Sequence, residues 1–216
     1  MIPNGKARAA NTRDPGRTRA RILAAALAEF AAKGFAGARV DAIARRAKGN
    51  KRMLYHYFGN KEALFSAVLR HKMEERRSWA EAISNDPAER LSFWFETACD
   101  DPDWVRLLEW EALQGSAKVI DEKKRRAACA DWLKRMRQRQ RGGQVTSSFD
   151  PCHLALAIQS LTMFPAAFPQ LVRLATGRSI EDPKFQNGYR KFLREFAAAF
   201  RPVRRRRLAD NERGTR

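Results

Sequence analysis

The chain has 216 residues, a net charge of +19 and an isoelectric point near 10.8, an excess that points to a polyanionic partner, either nucleic acid or an anionic membrane surface. Apolar residues make up 44% of the sequence, which excludes a disordered chain, and the absence of an apolar run of about 18 residues argues against a transmembrane helix. The N-terminal segment has no apolar secretory core, and the cysteines (Cys99, Cys129 and Cys152) show no disulfide or metal spacing, so a cytoplasmic protein is expected.

The positive charge is concentrated at the two ends of the chain. Residues 1–60 contain 13 Lys and Arg against 3 acids, and residues 201–216 contain 7 Arg against 2 acids. Residues 61–200 carry only the remaining +4. This asymmetry predicts a basic binding module joined to a body that has another task.

The first predicted elements are a flexible basic arm over residues 1–16 and a helix over residues 17–33. The arm contains two prolines and two glycines. In the helix, apolar residues recur at three- and four-residue spacing from Ile22 to Phe30, and Gly34 ends the pattern.

Two short helices follow, joined by a turn at Lys48-Gly49. The second of them is expected to be capped by Asn50, and its Leu54 and Phe58 lie four residues apart, so both should point into a small core. The next helix is expected to be capped by Asn60. The same geometry turns four polar side chains of the second short helix outward: Lys51, Arg52, Tyr55 and His56.

Two short helices joined by a tight turn, with a third packed behind them, indicate a helix-turn-helix, whose second helix enters the DNA major groove. Lys and Arg donate to guanine edges or phosphates, and a Tyr hydroxyl binds a phosphate. Lys61 adds a cation in the first turn of the following helix. The residues expected to contact double-stranded DNA are Arg39, Asn50, Lys51, Arg52, Tyr55, His56 and Lys61.

Other readings of the basic segments remain open. Arg45 and Arg46 either contact phosphates or form a solvated helix face, and the N-terminal arginines Arg8, Arg13, Arg17 and Arg19 either enter a minor groove or stay in solvent. A general nucleic-acid packaging protein would also explain the charge. A membrane partner is not expected, because that would require a basic amphipathic helix. An enzyme, a cofactor and a metal site are not expected either, because no phosphate loop, activated nucleophile or ligand spacing is present.

The body is predicted to be helical throughout, which gives an all-α chain of about nine helices. Residues 201–216 are expected to form a disordered tail that is either solvated, a second DNA clamp or a nonspecific hook for polyanions. The predicted helical segments of the body are 87–99, 102–116, 118–140, 150–176 and 182–200.

The 47 residues RARILAAALAEFAAKGFAGARVDAIARRAKGNKRMLYHYFGNKEALF resemble, without a gap, the DNA-binding domain of the TetR family of bacterial transcriptional regulators. The resemblance implies a three-helix DNA-binding domain over 17–65 and a helical bundle over 66–200 that binds a small-molecule effector and forms a homodimer. It also implies a sequence-specific repressor that binds a palindromic operator.

Two positions depart from the family pattern. The inter-helix turn of the family usually reads Ala-Gly-Val, whereas here it reads Ala47-Lys48-Gly49. Either the turn shifts by one residue so that Gly49 takes the left-handed conformation, or the helix-turn-helix is looser than usual. Arg39 occupies a position where a small capping Ser or Thr is common in the family.

The resemblance also implies that the last two long helices form a four-helix interface with a second copy. The alternative is that their apolar stripes close the subunit's own core. The interface residues expected are Leu154, Ile158, Leu161, Phe185, Tyr189, Phe192 and Phe196. The residues expected to line an effector pocket, unless they are core, are Trp94, Phe95, Trp104, Leu108 and Trp132.

Overall fold

The computed structural model describes residues 14–113 and 119–199. These residues form ten helices and no strand, so the predicted all-α class is confirmed. Most of the predicted arm, and the whole of the predicted tail, lie outside the described residues. The helices are α1 (Pro15–Gly37), α2 (Val40–Arg46), α3 (Lys51–Phe58), α4 (Lys61–Ala82), α5 (Pro87–Asp100), α6 (Pro102–Leu113), α7 (Glu122–Arg141), α8 (Pro151–Ala167), α9 (Pro169–Thr176) and α10 (Pro183–Ala199).

The chain divides into two compact units. The first contains the residues up to Ser78 together with Arg106–Ser116, and the second contains Trp79–Val105 and the residues from Ala117 onward. The boundary expected after residue 65 therefore falls inside α4, most of which belongs to the first unit.

The first unit is built around aromatic and aliphatic side chains of α1 to α4. The rings of Phe30 and Phe65 meet edge to face with their centroids 4.9 Å apart, and Phe35 lies 5.4 Å from Phe65. Ile43 of α2 and Leu54 of α3 are at most 2% exposed, so each short helix is anchored by a buried side chain. Each such side chain contributes roughly 1.5–3 kcal/mol when it leaves water.

In the second unit, α5 packs against α8 and α10, and α7 packs against α8. One buried cluster joins α5 to α10 through Leu91, Phe95, Leu193 and Ala197. A smaller cluster contains Met136, Val145 and Leu154.

The segment 150–176 forms two helices, not the single helix predicted. Pro169 has no N–H to donate, and its ring would collide with the carbonyl four residues earlier in a continuous helix. Phe168 leaves the helical region at φ −127° and ψ 58°, and the chain bends by 83° between α8 and α9. Within the described residues no single helix is long and apolar enough to cross a membrane; α8 and α9 reach that length only together, across this bend.

A second proline, Pro165, lies inside α8 and leaves one carbonyl of that helix without its usual donor. The carbonyl is that of Leu161, four residues earlier. The hydroxyl of Tyr189 on α10 donates to this oxygen at 2.9 Å, and burial of Tyr189 raises the pKa of its phenol. A tertiary hydrogen bond thus replaces the one that the proline removes.

Tyr189→Phe is expected to lower the free energy of unfolding by about 1 kcal/mol, because the Leu161 carbonyl loses its donor while the ring packing is retained. Urea unfolding followed by circular dichroism measures the change. Tyr55→Phe, which removes an exposed hydroxyl, is the matched control and is expected to stay within about 0.5 kcal/mol of the parent. Equal losses in both variants would contradict this role of Tyr189.

Candidate nucleic-acid interface

The helix predicted to read DNA, α3, presents a polar face to solvent. The side chain of Asn50 accepts a hydrogen bond from the N–H of Met53 at 2.8 Å, so the predicted N-cap is confirmed. Leu54 is 2% exposed, which anchors the opposite face of the helix. The four side chains expected to point outward are all exposed: Lys51, Arg52, Tyr55 and His56.

One of these cations is already paired within the domain. The ammonium group of Lys51 lies 2.8 Å from the carboxylate of Asp41 on α2, and this hydrogen bond raises the pKa of Lys51. Arg52 has no ion-pair partner among the described residues. The pairing of Asp41 with Lys51 was not predicted from the sequence. The only indication of it there is an acidic residue in the first turn of α2, the helix that precedes the recognition helix.

The turn between α2 and α3 keeps its register despite the unusual residues. Lys48 takes the left-handed conformation with φ 49°, whereas Gly49 does not have a positive φ. A Cβ on Gly49 would overlap the terminal methyl group of Met53, so the Met53 side chain fills the space that the missing side chain leaves. The register shift considered from the sequence is therefore wrong, and Met53 supplies apolar packing at this point.

Lys48→Gly is expected to raise the free energy of unfolding by about 0.5–1 kcal/mol, because glycine adopts a positive φ without the Cβ penalty. Urea unfolding measures the gain. Arg45→Gly, at an exposed helical position three residues earlier, is the matched control and should lower the same quantity by about 1 kcal/mol. A loss of stability in Lys48→Gly would show that the lysine makes a stabilising contact of its own.

The N-terminus of α2 is capped by a residue from α1 and not by its own N-cap side chain. Arg39 is exposed, and its backbone N–H donates to Oε1 of Glu29 at 3.3 Å. Burial raises the pKa of the Glu29 carboxyl, but the hydrogen bonds from Lys33 at 3.0 Å and from the Arg39 N–H, together with the charges of Lys33 and Arg46, lower it overall. In the sequence, this role of Glu29 is indicated by an acidic residue within the buried stripe of α1.

Lys61 and Arg19 both contact aromatic rings within the first unit. The ammonium group of Lys61 lies 5.0 Å from the centroid of Phe35 and donates to the carbonyl of Ala36 at 3.3 Å, and burial lowers its pKa. The guanidinium of Arg19 lies 5.4 Å from the centroid of Phe58. Arg17 and Arg19 both lie on α1, in the segment predicted to be helical, whereas Arg8 and Arg13 lie outside the described residues. The predicted DNA contact of Lys61 stays a prediction.

Most of the residues expected at a dimer interface contact the core of their own unit. Leu154 is buried with Met136 and Val145, which removes it from the surface that a partner can reach. Phe192 is exposed. The residues that pack against the unit's own core clusters are Ile158, Leu161, Phe185, Tyr189 and Phe196.

The five residues expected to line an effector pocket do not share one unit. Leu108 belongs to the first unit and the other four to the second. Phe95 is core, with its ring 4.8 Å from that of Tyr189. Trp104 is buried, and Trp94 and Trp132 are half-buried. A cavity of about 290 Å³ in the first unit is lined by other residues: Ala31, Ala32, Arg106, Glu109, Trp110 and Leu113.

Comparisons with known proteins agree with this architecture. The sequence model for bacterial regulatory proteins of the TetR family matches residues 22–68, and the model for a tetracyclin repressor-like C-terminal domain matches residues 87–198. The HTH-type transcriptional repressor SCO4008 of Streptomyces coelicolor is 35% identical over 170 residues, which cover 76% of this chain and 86% of that protein.

Solved structures give the same result. The transcriptional regulator SCO4942 of Streptomyces coelicolor has a TM-score of 0.72 and 30% identity, covering 86% of this chain and 99% of that one. The regulator FadR of Bacillus subtilis, solved in complex with stearoyl-CoA, has a TM-score of 0.59 over 81% of this chain and 96% of its own, and at 17% identity it shows the fold alone. The chain therefore belongs to the TetR family and is a helix-turn-helix, DNA-binding transcriptional regulator.

Proposed function

We propose that the protein is a repressor that binds a palindromic operator as a homodimer and leaves it when a small-molecule effector binds the second unit. The exposed polar face of α3 carries this proposal, because a short, capped helix with outward Arg, Lys and Tyr matches the chemistry of base edges and phosphates. Arg39 and Lys61 are proposed as further phosphate contacts.

Apolar side chains left exposed on α8 to α10 support the homodimer. Leu174 is 81% exposed, and the rings of Phe164 and Phe168 lie 5.0 Å apart while both are exposed. Large apolar groups that stay in contact with water are typical of an interface. The surface proposed for the second copy consists of Leu156, Phe164, Phe168, Leu171, Leu174 and Phe192.

An effector in the second unit is supported by one buried polar group. The hydroxyl of Ser92 on α5 is buried and has no hydrogen-bond partner among the described residues. Leaving such a group unsatisfied costs roughly 1–3 kcal/mol, which a ligand with a polar group would recover. FadR, which shares the fold, was solved with stearoyl-CoA, so a small molecule can be held by a regulator of this architecture.

Selection of bound DNA from a random pool by the purified chain tests the proposed function. The expected result is a motif of two inverted half-sites whose centres are about one helical turn, roughly 34 Å, apart. Affinity for that motif should exceed affinity for unrelated DNA by at least about 10³-fold at physiological salt.

Two further readouts separate the repressor from a packaging protein. A single half-site should bind far more weakly than the full motif, and two chains should occupy each full site. Enrichment of no motif, together with a steep salt dependence on every DNA, would identify a nonspecific packaging protein instead.

A further inference from the structure

The helix α7 is far more basic than the average charge of its region indicates. It contains nine Lys and Arg against two acids, a net charge of +7. Because residues 61–200 together carry +4, the rest of that segment is net −3. The body therefore has a concentrated positive surface of its own.

Two arginines from different helices meet at the connection between α4 and α5. Arg90 of α5 donates from Nη1 to the carbonyls of Ala80 and Ser84, both at 3.3 Å. Arg139 of α7 donates from Nη2 to the side-chain oxygen of Asn85 at 3.2 Å. Since Ser84 and Asn85 are neighbours in the chain, the two guanidinium groups share one short segment.

A third arginine, Arg135, lies four residues before Arg139 on the same face of α7, and its charge acts on both Arg90 and Arg139. It has no hydrogen-bond acceptor in the part of the chain that the structure describes. None of the three guanidinium groups has a carboxylate within ion-pair distance among residues 14–113 and 119–199.

The positive charges of this arginine cluster (Arg90, Arg135 and Arg139) are in an unfavourable environment. Burial lowers the pKa of Arg90 to about 10, and the charges of Arg139 and Arg135 add to the effect. Burial and the charge of Arg135 also lower the pKa of Arg139. Carbonyl and amide oxygens satisfy some of the N–H groups but do not neutralise the charge, and half-buried like charges repel one another.

We propose that Arg90, Arg135 and Arg139 form a binding site for the phosphate group of a small molecule. Planar guanidinium groups bind phosphate oxygens in a bidentate manner, and the cluster offers three of them from two helices. A phosphate or pyrophosphate carries enough negative charge to offset more than one of these cations, whereas a single carboxylate offsets only one. This site goes beyond the proposed function and does not depend on it, because none of its residues lies in the DNA-binding unit.

The competing reading is purely structural: the arginines tie the α4–α5 connection to α7 and bind nothing. The two readings differ for Arg135, which makes no hydrogen bond among the described residues. If the cluster is an anion-binding site, Arg135→Gln removes one of three charges that repel one another and thereby stabilises the anion-free protein. The same substitution must then weaken anion binding.

The test measures thermal unfolding of the full chain, without DNA, in sodium phosphate, pyrophosphate or acetate at matched ionic strength. In the parent protein, pyrophosphate at 100 times its Kd is expected to raise Tm by about 5 °C. In Arg135→Gln, Tm without anion should be higher than in the parent, and the affinity for pyrophosphate, measured by calorimetry, should fall about tenfold. Arg137→Gln removes one exposed charge from the same helix and is the matched control, with parental affinity expected.

Several outcomes would overturn the proposal. Equal losses of affinity in the Arg135 and Arg137 variants would show nonspecific attraction to a basic helix. An equal response to acetate would show that the cluster does not select phosphate. A destabilised or unfolded Arg135→Gln protein would show that the arginine stabilises the fold, and DNA binding by the same variant, measured separately, keeps this result distinct from a failure of the repressor proposal.

Discussion

Arg52→Ala is expected to lower the affinity for the operator by about 10- to 100-fold and to leave the free energy of unfolding within about 0.5 kcal/mol of the parent. Its guanidinium is exposed on the outward face of α3 and has no ion-pair partner among the described residues, so the whole of its charge is available to DNA. The hydrophobic anchor of the helix, Leu54, is untouched by the substitution.

Lys51 is expected to contribute less than Arg52, although the two are neighbours. Its ammonium group must leave the carboxylate of Asp41, 2.8 Å away, or share it with a phosphate. Lys51→Ala should therefore weaken binding by a smaller factor than Arg52→Ala. Asp41→Asn should strengthen binding, because it frees the lysine and removes a negative charge from beside α3.

Gel-shift titrations at several salt concentrations measure these changes. A lost phosphate contact lowers the slope of log affinity against log salt by about 1, whereas a lost base contact relaxes selection at one operator position. Lys184→Ala, which removes an exposed cation from the second unit, is the control and should leave affinity unchanged. Unchanged affinity in Arg52→Ala would mean that α3 is not the helix that reads DNA.

Local features of the DNA-binding unit could be predicted because each depends on residues a few positions apart. Asn50 caps α3 and Asn60 bonds the N–H of Ala63 at 2.7 Å, both three residues away. The separation of Leu54 from the exposed cations follows from helical spacing alone. Such contacts can be predicted without knowledge of the tertiary packing.

The features that escaped prediction depend on how helices pack. Glu29 reaches the N–H of Arg39, ten residues away, because α1 lies beside the start of α2. Asp41 reaches Lys51 only after the turn at Lys48 is fixed. The strong charge of α7 was hidden for a different reason, since averaging over residues 61–200 mixed it with an acidic remainder.

Gly34 has one feature that could be predicted from the sequence and one that could not. The sequence predicts a helix stop there, and Gly34 indeed leaves the helical region, at φ 67° and ψ 176°. The sequence does not show that Trp110, in the part of α6 that belongs to the first unit, packs on this point. The indole N–H of Trp110 donates to the carbonyl of Ala31 at 3.0 Å, and a Cβ on Gly34 would come within 2.8 Å of the Trp110 ring.

Gly34→Ala is therefore expected to lower the free energy of unfolding by about 2–5 kcal/mol. Roughly 1–3 kcal/mol arises from placing a non-glycine residue in a backbone region that almost only glycine adopts. The overlap with Trp110 adds about 1–2 kcal/mol, unless the ring shifts and gives up its bond to Ala31. Urea unfolding measures the sum.

A double-mutant cycle separates the two contributions, because Trp110→Ala removes the overlap and leaves the backbone strain. In that background Gly34→Ala should cost about 1–2 kcal/mol less than in the parent. Gly37→Ala is the matched control: its Cβ would meet only Lys33 at 3.4 Å and its φ is not positive, so it should be neutral or slightly stabilising. An identical cost of Gly34→Ala in both backgrounds would mean that the Trp110 ring does not rest on this glycine, and that backbone conformation alone explains why glycine is required there.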